Sequence, residues 1–81
     1  MKMSKEHSTN EICLWLANDY DNYLMIKSLG KQLLSLNDND LKDNLLYNFN
    51  YGTYDNKSSI DFDNLDFKEI RKEIKCLYYN L

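Results

Sequence analysis

Residues 66–77 read DFKEIRKEIKCL, and this stretch decides the fold class. Phe67, Ile70, Ile74 and Leu77 recur at three- and four-residue intervals, which puts them on one face of a helix. Lys68, Arg71, Lys72 and Lys75 occupy the outer face. Asp66 stands where an N-cap acceptor is needed, and Glu69 follows three positions later in an acidic version of the capping box. Cationic side chains late in the segment also suit the helix dipole.

The same periodicity extends upstream. Ser8 precedes Glu11 by three residues, and Ile12, Trp15 and Leu16 follow on one face, which predicts a short first helix capped by Ser8. Asn18 and Asp19 read as its end and as the cap of the next helix. That second helix is expected over residues 20–36, with Tyr23, Ile26, Leu29, Leu33 and Leu36 as its apolar stripe. Gly30 inside it costs roughly 1 kcal/mol against Ala and marks either a close helix crossing or nothing. After a polar break at residues 37–39, Asp40 is placed to cap a third helix carrying Leu41, Leu45 and Leu46, with Phe49 near its end. Residues 50–64 are the least regular, with turn signals at residues 51–53 and 56–59. The expected architecture is mainly α: a small bundle of three to four helices, whose pattern also admits a short β-hairpin within residues 50–63. Residues 1–7 read as a flexible N-terminal tail and residues 8–81 as a single helical domain.

Composition agrees with this class. The chain has no Pro and only two Gly, whereas an all-β domain of 81 residues draws heavily on both for its turns. Its 43% apolar content is too high for a disordered chain. At this length folding buries only about 60–65% of the unfolded surface, so the core is one layer thick. Seven Tyr exceed three Phe and one Trp combined. Tyr joins contact area to a polar tip, which suits either the rim of a thin core or a surface that meets a partner. Cys13 and Cys76 are too few for a disulfide framework or a zinc motif. The N-terminus lacks the apolar run of a signal peptide, and nothing approaches the ~20 apolar residues of a membrane helix. The expected location is the cytoplasm, with both thiols reduced.

Little here looks catalytic. His7 is the one histidine, and in a terminal tail it has nothing to orient it as a proton shuttle. Cys13 and Cys76 fall within apolar helices, where a thiol is inert. Asp38-Asn39-Asp40 and Asp61-Phe62-Asp63 begin like calcium-binding loops, but Lys42 and Leu65 occupy the fifth positions and no Gly stands at the sixth. These Asp are explained more simply as caps and solvated loops. No enzymatic activity, metal or cofactor is expected.

Charge is segregated along the chain. Residues 1–37 carry four basic and four acidic side chains, residues 38–67 seven Asp against two Lys, and residues 68–81 four basic against two acidic. The basic helix offers contacts to phosphate, but a net charge of −3 and the absence of a nucleic-acid-binding motif argue against direct nucleic-acid binding. The acidic middle, with its tyrosines, offers a surface for a basic protein partner. The plainer alternative is a loop that only keeps a small protein soluble.

Trp15, Asn18, Asp19 and Tyr23 form the pattern W-x-x-N-D-x-x-x-Y. It resembles the start of a family of small phage- and plasmid-borne proteins of unknown function. Leu65-Asp66-Phe67-Lys68-Glu69-Ile70 resembles a second pattern of that family, and residues 41–46 resemble it loosely. The resemblance spans about two-thirds of the chain and implies a mobile-element origin and a helical fold, with no catalytic residues. Its motif positions also have a structural explanation, with Trp15, Tyr23 and Phe67 as core and Asn18, Asp19 and Asp66 as caps. Two departures stand out: Phe67 where the family has Trp, and additional acidic, Tyr-containing sequence over residues 50–63. Small acidic proteins of such origin resemble anti-CRISPR and anti-restriction inhibitors in size and charge, an association rather than a mechanism.

The expectation is therefore a stoichiometric inhibitor of a bacterial defence nuclease complex. Its partner-binding surface would be built from Asp38, Asp40, Asp43, Tyr51, Tyr54, Asp55, Asp61 and Asp63. The expected partner is a host protein or ribonucleoprotein complex in the bacterial cytoplasm, without direct nucleic-acid or membrane contact. The alternative is a non-enzymatic adaptor or self-associating accessory protein of phage biology. Its contact would lie on a helix face, and a homodimer is compatible with it.

Overall fold

The computed structural model describes residues 2–48 and 60–79, of which 79% are helical. Four helices follow in order: α1 (Lys5–Asn18), α2 (Tyr20–Leu34), α3 (Asp38–Asn48) and α4 (Phe67–Tyr79). The helical bundle expected from the periodicity is present, and no strand occurs among the described residues. Residues 61–64 form a turn closed by Asn64 N–H donating to the Asp61 carbonyl at 3.1 Å. The rest of the hairpin admitted for residues 50–63 lies outside the described residues, as do Phe49, Tyr51, Tyr54 and Asp55.

α1 starts one turn earlier than its sequence pattern predicts. Ser4, not Ser8, is the N-cap, and its Oγ accepts from His7 N–H at 3.1 Å. Residues 5–7, read from sequence as tail, are thus the first turn of a helix. Ser8 is fully buried and spends its hydroxyl elsewhere: its Oγ accepts from Asp61 N–H at 3.0 Å. One residue on, Thr9 Oγ1 accepts from Asp66 N–H at 2.9 Å. Two neighbouring hydroxyls on α1 therefore satisfy two backbone donors of the 60–66 segment, which carries Ile60 and Leu65 into the core. A fully buried N–H left without an acceptor costs about 1–3 kcal/mol, and these part-buried ones cost less.

The α1–α2 corner uses a single linking residue. Asp19 leaves helical geometry at φ −92°, ψ 119° and donates its N–H to the Trp15 carbonyl at 3.3 Å. Its carboxylate accepts from Asp21 N–H at 2.9 Å and Asn22 N–H at 3.2 Å, the cap expected from sequence. Asn22 is fully buried, and its side-chain amide donates to the same Trp15 carbonyl at 3.4 Å. The Trp-to-Tyr motif is thus in part a device for locking this corner. Tyr23, expected in the core, is half-buried and lies under Lys27, whose Nζ sits 5.3 Å from the ring centre.

α2 ends at Leu34, two residues short of the expected limit, in a tight turn where Ser35 N–H and Oγ both donate to the Gln32 carbonyl. α3 is capped by Asn37 rather than Asp40: Asn37 Oδ1 accepts from Asp40 N–H at 2.8 Å. Both residues suit a cap, and the earlier one adds a turn ahead of the buried Leu41 and Leu45. For α4 the expected cap holds, with Asp66 Oδ1 accepting from Glu69 N–H at 3.3 Å.

α4 packs against both α1 and α2, and α3 packs against α2. Its contacts set α4 antiparallel to α2: Arg71, early in α4, donates to the Leu36 carbonyl at 2.9 Å, and Tyr78, late in α4, covers Gly30. Gly30 therefore marks a close crossing. A Cβ there would lie 2.6 Å from Tyr78 Cγ and 2.8 Å from its Cβ. Ile12, Trp15, Leu16, Ile26, Leu33, Leu41, Leu45, Ile60, Leu65, Ile70 and Ile74 form the core, with Phe67 partly buried against it. Each contributes about 1.5–3 kcal/mol through removal of apolar surface from water.

Candidate protein-binding surface

Of the carboxylates nominated from sequence, the five among the described residues come from α3 and the 60–66 segment, and they do not all serve alike. Asp38 Oδ1 sits 2.7 Å from Arg71 Nη1, so it pins the start of α3 to α4. Asp63 Oδ1 sits 3.0 Å from Lys42 Nζ and pins α3 to the turn. The hydrogen bond and charge of Asp63, with a smaller push from Asp43, raise the Lys42 ammonium above its ordinary pKa. Asp61 Oδ1 accepts from Asp63 N–H at 3.2 Å and so stabilises the turn. Asp40 and Asp43 are exposed on α3 and hold no ion pair among the described residues.

One residue that sequence reasoning passed over belongs to this surface. Tyr47 on α3 is 88% exposed, with Leu46 beside it 39% exposed. The signal was present: Tyr47 follows Asp40 and Asp43 at i+7 and i+4, the outer face of a helix whose inner face is Leu41 and Leu45. The acidic, Tyr-bearing surface among the described residues is therefore Asp40, Asp43 and Tyr47.

Other nominated chemistry falls elsewhere. His7 is exposed in the first turn of α1, not in a tail. Cys13 and Cys76 are free thiols, both half-buried. Burial first, then the carboxylates of Glu73, Glu69 and Asp66, push the Cys13 thiol up to about 11, which keeps it protonated and unreactive near neutral pH. Among the described residues no group of three or more His, Cys, Asp or Glu side chains is arranged to hold a metal ion. No helix among them is long and apolar enough to cross a membrane. An open cleft of about 400 Å³ lies between α1 and the start of α4, lined by Lys5, Glu6, Thr9, Asn10, Asp66 and Glu69. Its Thr9 and Asp66 are engaged in the hydroxyl and capping bonds described above.

Comparison of the chain with family models, with curated proteins and with solved structures found no match.

Proposed function

We propose that this chain is a mobile-element-encoded inhibitor of a bacterial defence nuclease complex, acting by stoichiometric binding and not by catalysis. The observation that carries the reading is the outer face of α3, where Asp40 and Asp43 stand exposed, with no ion pair among the described residues, beside an almost fully exposed Tyr47. Such a face suits a basic groove that ordinarily receives phosphate: the carboxylates supply the field, and the tyrosine supplies anchoring area. Asp38, Asp61 and Asp63 add to the field from positions where they also hold the fold. Tyr51, Tyr54 and Asp55 are proposed to extend the same surface. The partner would be a host protein or ribonucleoprotein complex in the bacterial cytoplasm, with no direct nucleic-acid contact. The resemblance of the Trp15–Tyr23 and Leu65–Ile70 patterns to small phage- and plasmid-borne proteins supports the origin.

The test is phage plating on bacteria carrying a defined CRISPR-type or restriction defence. Expression of the wild type should restore plating against one such system. The Asp40→Asn/Asp43→Asn/Tyr47→Ala variant should restore it at least ~10-fold less while keeping its helical circular dichroism, because truncating a central anchor and its charges commonly costs more than 1 kcal/mol of binding. Unchanged plating across the defence classes would remove the inhibitor reading. A non-enzymatic adaptor would then be favoured, since Leu14, Tyr20 and Leu24 expose apolar surface on α1 and α2.

A further inference from the structure

The outer faces of α3 and α4 repeat one spacing with opposite charge. Asp40, Asp43 and Tyr47 stand at i, i+3 and i+7, and so do Lys72, Lys75 and Tyr79. All six residues are exposed, Tyr47 by 88% and Tyr79 by 53%. On a helix these offsets fall within about 60° of one another and span about 10 Å. Both triplets point away from the core, because the buried residues of these helices are Leu41 and Leu45 on one and Ile70 and Ile74 on the other. Among the described residues the ion pairs are made by other side chains, Asp38 with Arg71 and Lys42 with Asp63. The two triplets are thus left to the surface as matched opposites.

We propose that these faces bind one another between two copies of the chain. α3 of one copy lies parallel to α4 of the next, with Asp40 opposite Lys72, Asp43 opposite Lys75 and Tyr47 against Tyr79. The contact joins two different surfaces. It closes into a two-fold dimer if both α3–α4 contacts form at once, and it otherwise continues head to tail. A nucleic-acid strand is the other ligand for a lysine stripe. It is disfavoured because Glu69 and Glu73 flank the lysines and oppose a continuous line of phosphates. A second copy instead brings carboxylates at the matching interval. The inference stands without the inhibitor reading, although the two uses of the acidic face would compete.

Sedimentation equilibrium of the purified chain tests this directly. At low ionic strength, where charges act over about 30 Å, the weight-average mass should rise with concentration from 9.7 kDa toward twice that value or beyond. In 1 M salt, where the range falls to about 3 Å, it should stay near the monomer. Lys72→Glu/Lys75→Glu and Asp40→Lys/Asp43→Lys should each be monomeric alone, and an equimolar mixture of the two should associate again. Should either reversed variant lose its helical circular dichroism, the neutral pairs Lys72→Gln/Lys75→Gln and Asp40→Asn/Asp43→Asn take over the test. Each should then weaken association about 10-fold or more. A wild type that stays monomeric at all concentrations overturns the proposal. So does a mixture that associates no better than its components, or association undiminished in the neutral variants. Salt-sensitive binding of a single-stranded oligonucleotide by monomeric protein, lost in Lys72→Gln/Lys75→Gln, would overturn it in favour of a nucleic-acid face.

Discussion

α3 and α4 are short helices of 11 and 13 residues with charged outer faces, yet the chain holds them differently. α4 buries Ile70 and Ile74 completely, packs on both α1 and α2, and is threaded in by the Thr9–Asp66 and Arg71–Leu36 hydrogen bonds. α3 buries Leu41 and Leu45, leans on α2, and is fastened at its margins by the Arg71–Asp38 and Lys42–Asp63 ion pairs. Apolar burial is non-directional and large, whereas exposed ion pairs contribute roughly 0–1 kcal/mol each. α4 is therefore held between two helices, whereas α3 is an edge that presents charge outward while its leucines complete the core. α3 gives two leucines to the core and keeps its outer face for presentation.

The strongest challenge to this contrast is a pair of truncations. Ile74→Ala should destabilise the fold by about 4–5 kcal/mol, near the top of the range for such changes, because tight packing between two helices resists collapse into the cavity. Leu45→Ala should cost about 2–3 kcal/mol, since the edge helix can settle inward. Urea denaturation of both variants measures the difference. Equal losses would mean that α3 is as firmly embedded as α4.

Next in size is the crossing of α2 and α4. Gly30→Ala improves helix propensity by roughly 1 kcal/mol but drives a methyl into the Cβ and ring of Tyr78. Overpacking of this kind costs typically 1–3 kcal/mol, so a net loss is expected. The Gly30→Ala/Tyr78→Ala double variant should lose clearly less than the sum of its parts, because the two sites share one contact. Additive losses would show that the close approach is not what makes Gly30 necessary.

These same elements show how much the sequence could tell. Helix periodicity located all four helices, and the caps at Asp19 and Asp66 were legible because a cap depends on residues three positions away. Ser8 was misleading for the opposite reason. Its hydroxyl pairs with Asp61, 53 residues distant, and no local spacing records such a bond. Asn37 and Asp40 offered two chemically suitable caps, and local spacing alone did not choose between them. The acidic surface was visible as composition. Its division, among the described residues, into ion-paired Asp38 and Asp63 and Asp40 and Asp43 without an ion pair was not, because ion pairing depends on where Arg71 and Lys42 arrive in space. Tyr51, Tyr54 and Asp55 lie outside the described residues, so their part in that surface rests on the proposal alone.

The smallest expected effect concerns the fastening of α3. Asp38→Asn keeps the size of the side chain and leaves the Arg71–Leu36 hydrogen bond in place, so it removes the ion pair with little else. Both Asp38 and Asp40 lie in the first turn of α3, where a carboxylate also gains from the helix dipole, commonly by 0.3–1 kcal/mol. Asp40→Asn is therefore the matched control: it loses a dipole contribution of the same kind but no ion pair seen among the described residues. Asp38→Asn should cost about 0.5 kcal/mol more than Asp40→Asn at low salt, within the roughly 0.2–1 kcal/mol of exposed pairs. The difference should shrink in 1 M salt as screening removes the charge term. Amide hydrogen exchange localises the change, because a loosened edge should speed exchange along α3 and leave the amides around Ile70 and Ile74 unaltered. Equal costs for the two variants would mean that Arg71 does not hold α3, and that Leu41 and Leu45 alone keep the acidic face in position.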